Sequence, residues 1–138
     1  MTDDQQRASM ARAVGLARFW LPVAAWMLLI FIVSGRPDQN GGLSVGVVIP
    51  KLAHVVEYAV LGFLLARAAR VEDEPLGSWR SALVSLAIGL YAVSDEVHQA
   101  FVPSREARVT DVIIDLVGGL MGVIAWRSLA RLWRRTLR

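Results

Sequence analysis

The chain lacks cysteine altogether and has few residues of several other kinds that carry chemistry. Without cysteine, disulfide bonds and thiolate metal sites are excluded. The 138 residues include two histidines, and Lys51 is the single lysine, so every other basic residue is an arginine. Neither a strict metalloenzyme signature nor a Ser–His–Asp sequence signature is present. Any chemistry therefore has to be argued from individual residues and their spacing.

Apolar residues are abundant, and they are concentrated in four stretches of nearly membrane-spanning length. They make up 55% of the chain, against roughly 45–50% in soluble domains. A helix needs about 20 residues to cross a bilayer core. The first stretch is not followed by a small-x-small cleavage site, which favours a retained anchor over a cleaved signal peptide. We predict an all-α, four-helix transmembrane bundle with spans near Leu16–Ser34, Pro50–Ala69, Trp79–Phe101 and Thr110–Leu129.

The basic residues predict how the bundle is oriented. Eleven of the fifteen lie before or near the start of the first span, at or between the facing ends of the second and third spans, and at or after the end of the fourth span. The positive-inside rule therefore places both termini in the cytoplasm and the 34–50 and 102–109 loops outside. Because the basic residues follow this rule, nucleic-acid binding is disfavoured. The chain is therefore expected to be a multi-pass membrane protein.

The predicted spans divide the chain into three parts. Residues 1–15 form a cytoplasmic N-terminal tail, residues 16–129 the membrane domain, and residues 130–138 a basic cytoplasmic C-terminal tail. The 35–50 loop is rich in glycine and proline and is expected to be irregular or partly re-entrant. Ser78 and Thr110 are candidate N-caps for the third and fourth helices.

Polar residues collect at the predicted outer ends of three helices. His54, Tyr58 and Leu61 share one face of the second helix, with Glu57 beside His54. The fourth helix opens with Asp111 and Asp115 at i, i+4. Ionisable groups inside a span cost about 2.5–3.5 kcal/mol each at the helix centre, so the deeper ones need partners. The candidate ligand-binding residues are Lys51, His54, Tyr58, Asp95, Glu96, Gln99, Arg105, Asp111 and Asp115.

Three interpretations of this cluster remain open. The residues could form an interhelical packing network, in which Lys51 and Arg105 pair with acids. They could bind a divalent metal, although no cofactor is identified by a motif; the candidate ligands are His54, Glu57, Asp95, His98, Asp111 and Asp115. They could also bind or modify an amphipathic ligand. If chemistry occurs, the candidate acid–base residues are His98, Glu96 and His54.

The glycines and tryptophans indicate how the helices pack. Gly118 and Gly122 form a G-x-x-x-G pair, which allows close helix approach. Packing within the bundle is one use of this pair, and a homodimer is the other. Trp26 lies in the middle of a span and is expected to pack inside the bundle.

These motifs resemble those of the VanZ-like family of small bacterial membrane proteins. The family's K-x-x-H-x-x-x-Y unit falls on Lys51, His54 and Tyr58. Its D-E-x-x-Q-x-F-x-P-x-R unit begins at Asp95 and ends at Arg105. Its D-x-x-x-D/N-x-x-G-x-x-x-G unit begins at Asp111 and ends at Gly122. The resemblance covers about residues 20–127.

The chain departs from the family pattern at three positions. Pro50 stands where many members have aspartate, Ser104 where glycine is common, and Asp115 where many have asparagine. The family's namesake is associated with low-level resistance to teicoplanin, a lipid-tailed glycopeptide. The resemblance therefore implies an envelope membrane protein whose partners are membrane lipids and an amphipathic ligand: a lipid, a polyprenyl intermediate or a lipidated antibiotic.

Overall fold

Four α-helices account for most of the chain. The computed structural model describes residues 3–36, 44–75, 77–103, 105 and 107–137. These ranges contain four helices and no strand, which confirms the all-α prediction. In chain order, the helices are α1 (Asp3–Ser34), α2 (Ser44–Ala69), α3 (Trp79–Gln99) and α4 (Val109–Thr136).

Three of the helices extend beyond the spans predicted for them. α1 begins at Asp3 and α4 continues to Thr136, so most of each predicted tail prolongs a helix. The prediction of an irregular 35–50 loop is wrong for residues 44–50, which form the first two turns of α2; residues 37–43 lie outside the described residues. Lys51 therefore lies two turns into α2 and not at its beginning.

Within the part of the chain that the structure describes, three segments are long and apolar enough to cross a membrane. They are Ala13–Ser34, Lys51–Ala69 and Val109–Thr136. α3, which carries Arg80 near its start and Asp95 and Glu96 near its end, is not among them. A fourth span remains a prediction.

The exterior of the bundle carries many large apolar side chains. The core is centred on α2, where Tyr58, Leu61 and Ala66 are fully buried. Each helix also carries large apolar side chains that face outward. Of the 18 consecutive residues that make up the most apolar part of the first candidate span, only 11% are buried. Such a surface would aggregate in water and is stable in lipid. The outward-facing side chains include Leu28, Leu29, Val56, Leu83, Leu90, Val117 and Met121.

Glycines bring α2 and α4 into backbone contact. A Cβ atom added at Gly122 would lie 1.8 Å from the Ala59 carbonyl oxygen, and one at Gly118 would lie 2.7 Å from the Val55 carbonyl oxygen. On α2, a Cβ at Gly62 would lie 1.9 Å from the Gly119 carbonyl oxygen. Small residues permit this close approach. The G-x-x-x-G pair thus packs within the bundle, and a homodimer through Gly118 and Gly122 stays a prediction.

Of the two helix caps predicted from the sequence, the one at Ser78 is present and the one at Thr110 is not. Ser78 is the N-cap of α3, and its hydroxyl accepts a 3.3 Å hydrogen bond from the Ser81 backbone N–H, as expected. The cap predicted at Thr110 is wrong, because α4 begins at Val109 and Arg108 occupies the N-cap position. α2 ends with Arg70 at φ 54° and a 3.1 Å bond from the Val71 N–H to the Ala66 carbonyl. This geometry satisfies terminal carbonyls of the helix.

Polar contacts attach α1 to the other helices. The Trp26 indole N–H donates to the Glu57 carbonyl oxygen at 2.8 Å, which confirms that Trp26 packs inside the bundle. The Tyr91 hydroxyl donates to the Met27 carbonyl oxygen at 2.5 Å. The same helix also carries Phe31, whose ring stacks on His98. α1 is thereby fixed against both α2 and α3.

Candidate functional site

One residue from each of α2, α3 and α4 meets at the centre of the polar cluster. His54, Asp95 and Asp115 each offer one ligand atom, and these atoms lie within 4.8 Å of one another. The His54 Nδ1 atom is 3.1 Å from Asp115 Oδ1. The Asp115 side chain is 1% exposed and that of His54 is 15% exposed. The backbone contact between α2 and α4 makes this approach possible.

A hydrogen-bonded chain leads from Asp95 to a cationic side chain. Gln99 lies one turn after Asp95 on α3, and its Nε2 donates to Asp95 Oδ2 at 2.9 Å. Arg105 then donates from Nη1 to Gln99 Oε1 at 2.8 Å. Gln99 thereby orients both the Asp95 carboxylate and the Arg105 guanidinium. The second carboxylate oxygen, Asp95 Oδ1, takes no part in this chain of hydrogen bonds.

Several buried polar atoms in and around this cluster have no hydrogen-bond partner among the described residues. A buried donor or acceptor left without a partner costs about 1–3 kcal/mol, and more if it is charged. A packing network built only for stability would pair most such atoms. The cluster therefore retains capacity for a bound group. The atoms are the Tyr58 hydroxyl, Asp95 Oδ1, Glu96 Oε2, Arg105 Nε and Asp115 Oδ2.

A more exposed ion pair lies one turn away from the cluster. Lys51 Nζ is 3.5 Å from Asp111 Oδ1, and the two side chains are 40% and 26% exposed. Lys51 precedes His54 on α2, and Asp111 precedes Asp115 on α4. Exposed pairs of this kind contribute about 0–1 kcal/mol. The pair places one positive and one negative charge beside the deeper cluster.

Glu96 connects α3 to the beginning of α4. Its Oε1 accepts a hydrogen bond from the Arg108 backbone N–H, and the residue is 6% exposed. An acceptor at this position satisfies a backbone donor at the start of the helix. One oxygen of this candidate acid–base residue thus has a structural role.

The structure does not bring every predicted residue into the central cluster. The His98 ring stacks on Phe31 of α1 with ring centroids 3.9 Å apart, and its Nε2 lies 3.1 Å from where a Cβ of Gly35 would be. Glu57 is half-buried and contributes its backbone carbonyl to Trp26. Among the described residues, three of the six predicted metal-ligand candidates form a cluster of metal-binding size.

Three contributors to the candidate site were missed in the sequence. Gly62 and Gly119 take part in the backbone contact that aligns α2 with α4. Tyr91 packs beside Tyr58 with ring centroids 6.1 Å apart. The i+4 spacing from Tyr58 to Gly62 is the signal that could have identified Gly62, because it places a residue without a side chain on the polar face.

The fold and the cluster define a class of helical membrane protein, in which apolar helices enclose a buried group of ionisable residues. The VanZ/LLP1 family model matches residues 19–133. Since this match covers most of the chain, the protein belongs to the VanZ/LLP1 family, which confirms the resemblance seen in the motifs. Comparisons with curated proteins and with solved structures found no match.

Proposed function

We propose that this VanZ-like membrane protein binds the polar headgroup of a hydrocarbon-anchored envelope molecule. The headgroup carries an anionic group, which Arg105 and Lys51 bind, and hydrogen-bond donors, which the carboxylates of Asp95 and Asp115 accept. Three molecules share this chemistry: an envelope lipid, a polyprenyl-phosphate intermediate and a lipidated glycopeptide. All three combine an apolar anchor with such a headgroup.

The observation that carries the proposal is the set of buried polar atoms without partners. It includes a donor, Arg105 Nε, as well as acceptors on Asp95 and Asp115. A pure packing network, the main alternative, is favoured by the Lys51–Asp111 and His54–Asp115 contacts. That alternative leaves the unpartnered atoms unexplained, whereas a headgroup that both donates and accepts hydrogen bonds would pair them.

The proposed setting is a bacterial inner membrane crossed four times, with both termini in the cytoplasm. Support for the α3 span comes from its apolar outward face, on which Leu83, Leu86 and Leu90 are 52–63% exposed. Lipid is the solvent that such a face requires. With the orientation given by the basic residues, the cluster would open toward the outer leaflet.

Cysteine labelling tests this topology, because the native chain has no cysteine. Ala107→Cys and Gly77→Cys introduce exposed thiols into the α3–α4 and α2–α3 connections. In intact cells, we expect an impermeant maleimide to label Ala107→Cys, and to label Gly77→Cys only after permeabilisation. The reverse pattern would invert the orientation, and labelling of both from outside would rule out an α3 span.

Removal of Arg105 should weaken headgroup binding. Charge-assisted hydrogen bonds contribute about 1.5–3 kcal/mol, so Arg105→Ala should raise the Kd about 10- to 100-fold. The matched control is Arg80→Ala, which removes a half-exposed arginine paired with Glu74 at 3.3 Å. Protein in nanodiscs of neutral lipid is titrated separately with a glycerophosphate lipid, a polyprenyl phosphate and a lipidated glycopeptide.

The three titrations also separate the sources of the headgroup. A ligand that depends on Arg105 but not on Arg80 would identify the class of molecule bound. Equal losses in the two variants would show non-specific attraction to positive charge. If the wild type bound none of the three ligands, the proposed function would be rejected.

A further inference from the structure

We propose that His54, Asp95 and Asp115 together bind one divalent cation of borderline character, Zn²⁺ or Mn²⁺. This inference rests on the proposed function and refines it: the cation would lie between the carboxylates of Asp95 and Asp115 and the headgroup, so that these carboxylates contact the headgroup through the ion and not directly. A mixed set of one imidazole and two carboxylates suits these ions better than Mg²⁺ or Ca²⁺, which prefer oxygen ligands alone. Three protein ligands also leave coordination positions open for another group.

The distances fit a single ion. Ligand atoms bound at about 2.1 Å lie about 3 Å apart at right angles and about 4.2 Å apart on opposite sides of the ion. The His54 Nδ1 to Asp115 Oδ1 distance is 3.1 Å, and all three ligand atoms lie within 4.8 Å of one another. The largest separation therefore exceeds the 4.2 Å limit by at most about 0.6 Å.

A second observation, independent of the clustering, is that one oxygen of each buried carboxylate lacks a hydrogen-bond partner among the described residues. Asp95 and Asp115 are 1% and 0% exposed, yet Asp95 Oδ1 and Asp115 Oδ2 have no hydrogen-bond partner among the described residues. The Tyr58 hydroxyl is also buried and has no hydrogen-bond partner in the part of the chain that the structure describes. These are oxygens that a cation would coordinate directly or through water.

The charges of the cluster also favour a divalent ion. Two carboxylates approach each other in a buried site, and close like charges of this kind share a proton or a cation. The neighbouring positive side chains are directed to other groups: Arg105 Nη1 to Gln99 and Lys51 to Asp111. A divalent cation would neutralise both carboxylates, while the Gln99 amide holds Asp95 in position.

Titration of metal-stripped protein with Mn²⁺ alone, in neutral detergent and followed by electron paramagnetic resonance, tests the cation site. We expect one Mn²⁺ per chain, displaced by Zn²⁺, with electron spin echo modulation from one imidazole nitrogen. The chain contains two histidines, so His54→Gln should abolish the nitrogen signal and His98→Gln should preserve it. Asp115→Asn should weaken binding at least ~100-fold, whereas the matched control Asp111→Asn should leave it within threefold.

Several outcomes would overturn the cation site. They are a wild type that binds no stoichiometric Mn²⁺ or Zn²⁺, a nitrogen signal that survives His54→Gln, or equal losses in Asp111→Asn and Asp115→Asn. If Asp115→Asn does not fold, the cation site is tested by the Mn²⁺ stoichiometry of the wild type and by the nitrogen signals of His54→Gln and His98→Gln. Lipid titration of the stripped protein separates the two proposals, because headgroup binding that depends on Arg105 without any metal would preserve the proposed function alone.

Discussion

Gly122→Ala should destabilise the bundle by about 3 kcal/mol, the upper end of the usual cost of overpacking. The added Cβ would lie 1.8 Å from the Ala59 carbonyl oxygen and 2.8 Å from the Phe63 backbone nitrogen. These neighbours are backbone atoms, which cannot rotate away, so α2 and α4 must separate. Overpacking that forces backbone shifts costs about 1–3 kcal/mol and occasionally more. Separation would also move His54 away from Asp115, so ligand binding should be lost with stability.

Gly89→Ala is the matched control for this substitution. It makes the same change within a helix, but the nearest atom to the new Cβ is Leu116 Cδ1 at 4.0 Å. Replacing a helical glycine by alanine should stabilise by about 0.5–1 kcal/mol. Thermal denaturation of both variants in detergent measures the difference. Equal melting temperatures for the two variants would mean that α2 and α4 do not touch as described.

Asp115→Asn should leave the stability of the ligand-free protein unchanged or raise it by up to about 3 kcal/mol. The wild-type carboxylate is fully buried, and its Oδ2 has no partner among the described residues. Asparagine keeps an oxygen for His54 and replaces the unpartnered charged oxygen by a neutral amide nitrogen. A residue kept for binding at the expense of stability behaves in this way.

Asp111→Asn separates this effect from a general loss of negative charge. Asp111 is a partly exposed partner of Lys51, so its replacement should lower stability by no more than about 1 kcal/mol. Denaturation is measured on lipid-depleted protein in the presence of a chelator. If Asp115→Asn proved the less stable variant by several kcal/mol, the cluster would be a packing network.

Sequence periodicity was sufficient to identify the face of α2 that carries the site. The i, i+4 relation of His54 and Tyr58 places both on the polar face of one helix, and backbone geometry alone dictates it. The motifs also placed Asp95, Gln99 and Arg105 near one another, and the structure joins them by hydrogen bonds. Interactions between near neighbours in the chain are determined by local geometry.

Rotation of one helix relative to another could not be predicted in the same way. Asp95 and His98 are three residues apart on α3 and therefore differ by about 60° around its axis. That angle is enough for Asp95 to face α2 and α4 while His98 faces Phe31 of α1. The rotation depends on contacts between helices, and the sequence did not reveal how α3 packs. Among the described residues, three of the six metal-ligand candidates therefore have ligand atoms within 4.8 Å of one another, and the metal site itself stays a prediction.

The positions at which the helices begin and end could not be predicted from hydropathy either. The apolar run of the second span suggested a beginning at Pro50, whereas α2 begins at Ser44. Hydropathy reports where a helix would meet hydrocarbon, and a helix can continue into the headgroup region or water. The same reason explains the extension of α1 to Asp3 and of α4 to Thr136.

Native mass spectrometry of the protein released from nanodiscs of bacterial lipid tests most directly whether the cluster is a binding site. The wild type is compared with the double variant His54→Ala/Arg105→Ala, which alters the cluster and its cationic neighbour. We predict that the wild type retains a bound lipid, polyprenyl or metal mass that the folded variant lacks. A wild type without any retained mass, together with a variant that cannot fold, would contradict the account and indicate a packing network.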